Sequence, residues 1–288
     1  MLYRLPQEFG SYPGMHINRA GKSALAWFKL VEHQAKAEGF LTENTLVFII
    51  SGSKHIHLPE EEIVAAAGDL ILLKRGTYFM SALLPEEEGT FQGLMLCVDD
   101  HILRSFLEEM NDIRKARTNI PMVLPCSEQL VNVRNSIIGY MERPNENTCK
   151  LLELKIQEVF LLLLSGPHRA QVLAFLHHMF DTSTENLTLT IREHLLKPLS
   201  LQEYAALCGL SLSVFKREFA KIYHAPPKKW INDERLKHAD YLLRHTQKNV
   251  NEVADDCGFE STSYFIKQYK SRYGDTPKNA QRAKIAIF

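Results

Sequence analysis

The feature that most restricts this chain is an internal repeat near its C-terminal end. Leu201–Pro227, "LQEYAALCGLSLSVFKREFAKIYHAPP", lies against Val250–Pro277, "VNEVADDCGFESTSYFIKQYKSRYGDTP". Glu203, Ala205, Cys208 and Gly209 recur as Glu252, Ala254, Cys257 and Gly258, at an offset of 49. One inserted residue follows, and Ser213, Phe215, Tyr223 and Pro227 recur as Ser263, Phe265, Tyr273 and Pro277 at an offset of 50. Self-similarity at a fixed spacing marks a repeated supersecondary unit. Each copy reads as a short helix, a glycine-centred turn and a second helix, which is helix-turn-helix spacing. The two motifs are expected over 200–223 and 249–273.

Each slot has a physical task. Ala205 and Ala254 are small enough to let two helices approach closely. Gly209 and Gly258 can adopt the positive φ that ends the first helix. Phe215/Phe219 and Phe265/Tyr269 stand four residues apart and face inward; Phe259 and Tyr264 are expected beside them in the core. The opposite face then carries Ser213, Lys216 and Arg217 in the first copy, and Thr262, Ser263, Ile266, Lys267 and Lys270 in the second. Hydroxyls, a methyl-bearing side chain and cations are what base edges and phosphates accept. The bland alternative is a duplicated helical hairpin with a solvated charged face.

Charge supports the nucleic-acid reading. The 34 basic and 34 acidic residues cancel over the whole chain, but residues 1–182 hold 17 basic and 22 acidic, and residues 183–288 hold 17 and 12. An uneven split of this kind suggests that one domain meets a polyanion and the other does not.

On these residues the chain resembles the AraC/XylS transcription regulators, over about Leu187–Arg282. The stretch "RLKHADYLLRHTQKNVNEVADDCGFESTSYFIKQYKSRYGDTP" carries most of the likeness, with Ala225–Leu243 as the helix joining the motifs and Arg235, Leu236, Ala239, Leu242 and Leu243 in its expected slots. The resemblance implies seven helices, double-stranded DNA as the partner, and two recognition helices entering successive major grooves about one duplex turn apart, roughly 34 Å. It implies recognition roles for Ser213, Lys216 and Arg217, and for Thr262, Ser263, Ile266 and Lys267. One departure is His224, where the family usually has glycine; a side chain at a positive-φ helix end costs about 1 kcal/mol.

The first half reads differently. Up to about residue 98 it is β-rich: "NTLVFIISGSKHIHL", "AAGDLILLKRGTYFMSALL" and "GTFQGLMLCV" give short strands punctuated by Gly turns. From Asp99 the period turns helical through "DDHILRSFLEEM", "SEQLVNVRNSIIGYM", "TCKLLELKIQEVFLLLL" and "SGPHRAQVLAFLHHMF", until polar "DTSTEN" marks a boundary. His55, His57, Glu61 and Gly68 imitate a metal-binding cupin spacing. The frame set by the "FIISG" turn instead puts Gly39, Leu41 and Thr45, then Lys74 and Phe79, in the ligand slots, so no metal or cofactor is expected. The half is similar to the cupin-like barrel that precedes many members of this family. Its phrases resemble the subgroup of the type III secretion activator of pseudomonads, whose N-terminal domain is held by a protein partner. On the helix at 149–164, Leu151, Leu152, Ile156, Val159, Phe160 and Leu163 form an apolar stripe that packs on the barrel, unless this helix or the one at 127–141 joins a homodimer.

The expectation is an α+β chain: a cupin-like sensing domain over 1–182 (barrel 1–98, helices 99–180) and an all-α DNA-binding domain over 183–288. It is read as an activator of transcription, cytoplasmic and not membrane-bound. RNA polymerase, a second copy and a small-molecule or protein effector are its implied partners. The five cysteines lack a CxxC pair and fit reduced thiols. No nucleophile elbow, P-loop or paired-glycine fingerprint suggests an enzyme. The rivals are a metal-dependent cupin enzyme fused to a DNA-binding domain, and an interaction module that binds no DNA.

Overall fold

The computed structural model describes residues 3–11, 15–58, 61–85, 89–108, 122–180 and 184–283. The chain divides into two compact units, Met1–Phe180 and Asp181–Phe288.

Unit 1 is built on two sheets. The first has five strands: β1 (Tyr3–Leu5), β4 (Gln34–Leu41), β9 (Gly76–Leu83), β6 (Ser53–His57) and β7 (Glu62–Ala66), in that spatial order. The second has six: β11 (Met122–Pro125), β8 (Asp69–Leu73), β5 (Asn44–Ser51), β10 (Phe91–Val98), β3 (Ser23–Leu30) and β2 (Met15–Ala20). Where a cupin-like barrel was expected, the described residues form two separate sheets and not one continuously bonded cylinder. The strand system also runs past residue 98, because β11 returns to pair antiparallel with β8. Four residues between helical runs carry no periodicity that would announce such a strand.

Strands β3, β5, β8 and β10 of the six-stranded sheet are buried on both faces, while the edge strand β2 is largely exposed. Val47, Ile49, Ile71, Leu73 and Met95 face the five-stranded sheet, while Leu46, Phe48, Leu72, Leu94 and Leu96 face the helices. This explains why "LVFII" and "LILL" read as unbroken apolar runs rather than alternating ones. The helices are α1 (Asp100–Glu108), α2 (Glu128–Glu142), α3 (Thr148–Ser165) and α4 (Arg169–Met179). Ser127 caps α2 by accepting from the Leu130 amide. Arg75, 7% exposed, forms an ion pair with Asp100 that ties the β8–β9 turn to α1.

The α3 stripe settles between its two readings. Leu152, Ile156, Val159, Phe160 and Leu163 are 0–4% exposed and pack with Phe106, Leu130 and Val172 inside unit 1. They are occupied by their own domain and offer no surface to a second copy. The solvent side of α3 carries Leu154 and Leu161 instead. Spacing reveals that a helix has an apolar face, but not whether the same chain covers it.

Unit 2 contains seven helices among its described residues: α5 (Thr184–His194), α6 (Leu201–Leu207), α7 (Leu212–Tyr223), α8 (Pro227–His245), α9 (Val250–Asp256), α10 (Thr262–Tyr273) and α11 (Pro277–Ala283). Of the polar boundary segment, residues 181–183 lie outside the described residues and Thr184 onward is already helical. No described helix is long and apolar enough to cross a membrane.

Candidate nucleic-acid interface

The repeat is written into the backbone of unit 2. Ser200 and Asn249 cap α6 and α9 in matching capping boxes. Each cap side chain accepts from the amide of Glu203 or Glu252, and that glutamate accepts from the cap's own amide at 2.6 and 2.7 Å. The recurrence of glutamate in both copies has its cause here. Both helices end at a glycine in the left-handed region, Gly209 at φ 66° and Gly258 at φ 74°. Ser211 and Ser261 then start α7 and α10, each accepting from the amide three residues on. All five cysteines are free.

Aromatic rings fix the second helix of each motif. Phe215 and Phe219 are fully buried, as are Phe265 and Tyr269. Tyr204 stacks on Phe215 at 6.4 Å, and Phe259 meets Phe265 at 5.0 Å. The Tyr269 hydroxyl donates to Asp240 of α8. Tyr264 departs from expectation: its ring is 38% exposed, and its hydroxyl accepts from the Asn232 carboxamide at 2.9 Å. It stands one position before the buried Phe265, so the turn of the helix carries it off the inner stripe.

With those rings inward, Ser213, Lys216, Arg217, Ser263, Ile266, Lys267 and Lys270 are exposed and Thr262 is half-buried. The two faces differ in charge. On α7, Glu218 draws in both Arg217 (2.9 Å) and Lys221 (3.0 Å), and those two cations hold its carboxyl below the usual range. On α10 no carboxylate pairs with Lys267 or Lys270 among the described residues. The helix ends differ too. Gly274 closes α10 at φ 79°, whereas His224 closes α7 at φ 52°, the one described non-glycine residue with positive φ.

The sequence reading did not anticipate one cavity or what Arg235 does beneath it. A cavity of about 420 Å³ opens between α8 and the start of α10, lined by Ser200, Lys228, Asn232, Ser261 and Tyr264. Its floor is Arg235, 6% exposed, which donates from Nε to Leu195 O (2.7 Å), from Nη1 to Gly258 O (2.8 Å) and from Nη2 to Lys197 O. The same strand of chain crowds Gly258: a Cβ there would lie 2.6 Å from Leu196 O. Arg235 on α8 therefore straps the segment before the first motif onto the turn of the second. The sequence reading placed Arg235 in its slot on the joining helix, but gave no sign of the three carbonyls that it meets.

The histidines of unit 1 find hydrogen-bond partners instead of a metal-binding frame. His55 and His57 share the outer side of β6, and both contact Glu62 Oε1, at 3.2 and 3.1 Å. His57 Nε2 lies 2.9 Å from Ser81 Oγ, and His55 Nε2 lies 3.1 Å from Ser53 Oγ. The partner is Glu62 and not Glu61, because the β6–β7 register sets His57 opposite Glu62. Among the described residues, no group of three or more His, Cys, Asp or Glu is arranged to hold a metal ion.

Comparison with known proteins agrees with this division. Residues 44–175 match the family described as the ExsA N-terminal regulatory domain. Residues 204–283 match a helix-turn-helix domain family. The virulence regulon transcriptional activator VirF of Yersinia enterocolitica is 27% identical, the alignment covering 90% of this chain and 93% of that protein. The thermoregulatory protein LcrF of Yersinia pestis is 27% identical over the same shares. The HTH-type transcriptional regulator ExsA of Pseudomonas aeruginosa is 23% identical, covering 84% of this chain and 87% of its own length. Among solved structures, unsaturated fatty acid bound ToxT from Vibrio cholerae aligns with 92% of this chain and 96% of its own, at 14% identity and a TM-score of 0.48. A regulatory domain of the ExsA type, followed by a duplicated helix-turn-helix whose caps, glycines and aromatic rings recur in step, makes this chain a member of the AraC/XylS family of transcription regulators.

Proposed function

We propose that this chain is a sequence-specific activator of transcription that sets α7 and α10 into two successive major grooves on one face of double-stranded DNA. The observation carrying this reading is the pair of exposed faces: Ser213, Lys216 and Arg217 on one helix, and Thr262, Ser263, Ile266, Lys267 and Lys270 on the other. Each is held outward by buried rings at i and i+4. In this reading Lys267 contacts base edges and Lys270 a phosphate. The half up to about residue 182 regulates the other in response to a small molecule or a protein partner, and RNA polymerase and a second copy are the remaining partners.

The test starts from duplexes selected out of a random pool by the full chain. Footprinting should show two protected major-groove segments about one helical turn apart, roughly 34 Å. Lys216→Ala should lift protection over one segment and Lys267→Ala over the other. A single protected segment, or protection unchanged by both substitutions, would refute the two-groove reading.

A further inference from the structure

The two motifs share caps, glycines and rings, but their reading helices carry different charge. α7 holds Lys216, Arg217 and Lys221 together with one acid, Glu218, whereas α10 holds Lys267, Lys270 and Arg272 and no acid. At the offset of 50 that aligns Phe215 with Phe265, Arg217 falls on Lys267 and Glu218 on Gln268. The repeat thus contains its own charge substitution: the carboxylate beside the first reading cation is a neutral carboxamide beside the second. Glu218 Oε1 accepts from Arg217 Nε at 2.9 Å, and both its oxygens accept from Lys221 Nζ at 3.0 Å. On α10, Arg272 is the one cation that pairs with a carboxylate among the described residues, and its partner is Asp233 of α8.

The Glu218 pairs do little for the fold. Arg217 and Lys221 are 64% and 63% exposed, and ion pairs in water add little stability, because screening and side-chain entropy offset their attraction. Their effect lies in the field that α7 presents to DNA. A phosphate that reaches Arg217 also comes close to Glu218, well inside the Debye length of about 10 Å at 0.1 M salt. Affinity for a duplex grows with the number of counterions that a protein's cations displace. One carboxylate among three cations lowers that number by about one. Lys216 alone of the α7 cations meets no carboxylate among the described residues.

We propose that Glu218 sets the order in which the two motifs hold DNA: it restrains Arg217 and Lys221, so that α10 anchors the duplex and α7 is the half that lets go first. This division of labour rests on the two-groove reading and names the residue that makes its halves unequal. Where the bases under α7 suit Ser213, Lys216 and Arg217, base contacts compensate for the weaker field. Arg217 then exchanges one carboxylate oxygen for the two acceptors of a guanine edge. Elsewhere α7 has little to hold it, and the chain stays attached through α10. Discrimination between sites falls to the first motif, and attachment to any duplex falls to the second.

The test uses the full chain on its selected duplex, with footprints taken across rising salt. Lys216→Ala and Lys267→Ala first assign the two protected segments to α7 and α10. In the parent, protection over the α7 segment should fade at lower salt than protection over the α10 segment. Glu218→Gln should hold the α7 segment up to the salt at which α10 lets go. On an unrelated duplex of the same length, Glu218→Gln should bind about three- to tenfold tighter at about 0.1 M salt, with the slope of log affinity against log salt steeper by about one. Gln268→Glu places a carboxylate beside Lys267 and should do the reverse: weaker binding, a flatter slope, and an α10 segment that fades at lower salt than in the parent. A Glu218→Gln chain with the salt slope of the parent, or a parent that releases the α10 segment first, would overturn the proposal. Segments that answer to Lys216→Ala and Lys267→Ala while Glu218→Gln changes nothing sink this inference alone. Segments that answer to neither sink the two-groove reading, and the proposed order of release falls with it.

Discussion

Replacing Arg235 with methionine should separate two properties that are joined in the parent: the fold of each motif and the distance between them. The guanidinium donates to three backbone carbonyls, Leu195, Lys197 and Gly258, and the residue is 6% exposed. Hydrogen bonds from a charged donor contribute about 1.5–3 kcal/mol each, and carbonyls left unsatisfied add to the loss. Desolvating the guanidinium offsets several kcal/mol of that sum. The net loss should be about 3–5 kcal/mol, comparable to removing one partner from a buried charged pair. For a domain of this size about 4–8 °C of Tm accompanies each kcal/mol. Unit 2 should therefore melt at least 12 °C lower, to order of magnitude. The chain has two tryptophans, one in each unit, so Trp27→Phe leaves Trp230 as the reporter of unit 2. At temperatures below that transition, affinity for a two-groove site should fall at least about tenfold, or 1.4 kcal/mol. Affinity for a duplex carrying one half of the site should hold, because α7 and α10 keep their own cores. A Tm within about 2 °C of the parent, together with undiminished binding to the full site, would refute the strap.

Lys267→Ala should cost about 1–3 kcal/mol of binding to the selected site and relax base preference in one half, read by competition with single-base variants. Lys270→Ala should weaken all sequences alike and flatten the slope of log affinity against log salt by about one. His224→Gly should stabilise unit 2 by about 1 kcal/mol by relieving a left-handed backbone at φ 52°, seen as a higher Tm. Glu43→Gln probes an acid whose pKa burial raises from 4.5 to about 6, against the pull of Arg75. The folded state then binds the extra proton, so the penalty is absent below about pH 4.5, grows as pH rises and is complete above about 6, where it amounts to about 2 kcal/mol. The variant should be more stable than the parent at pH 7.5 and no more stable at pH 4, by urea midpoints at each pH.

The legible parts of this molecule were those whose signals are local. Ser200 with Glu203, Asn249 with Glu252, the two turn glycines and the ring pairs each lie within a few residues of one another, and a repeat shows them twice. Strand order, sheet closure and register are set between distant segments, and there the sequence fell silent. The strands before residue 43 include polar "QAKAEGFL", whose inner end is apolar but whose start is not. Glu62 displaced Glu61 beside the histidines because cross-strand register, and not spacing along the chain, decides which carboxylate they meet. Lys54 went unremarked although the period of "SKHIH" sets its charge on the same side as Ile56. The pleat turns Lys54 and Ile56 inward and leaves the histidines outside.

The inner strands of the six-stranded sheet, packed on both faces, behave as a party wall. Met95 faces the five-stranded sheet, and its neighbours Leu94 and Leu96, both fully buried, face the helical core on the other side. Interiors at crystal-like density have no slack to absorb a shift on one side only. A shift of Met95 must therefore press β10 against α2, α3 and α4, so a change between the sheets is felt on the far side as a change in how those helices sit.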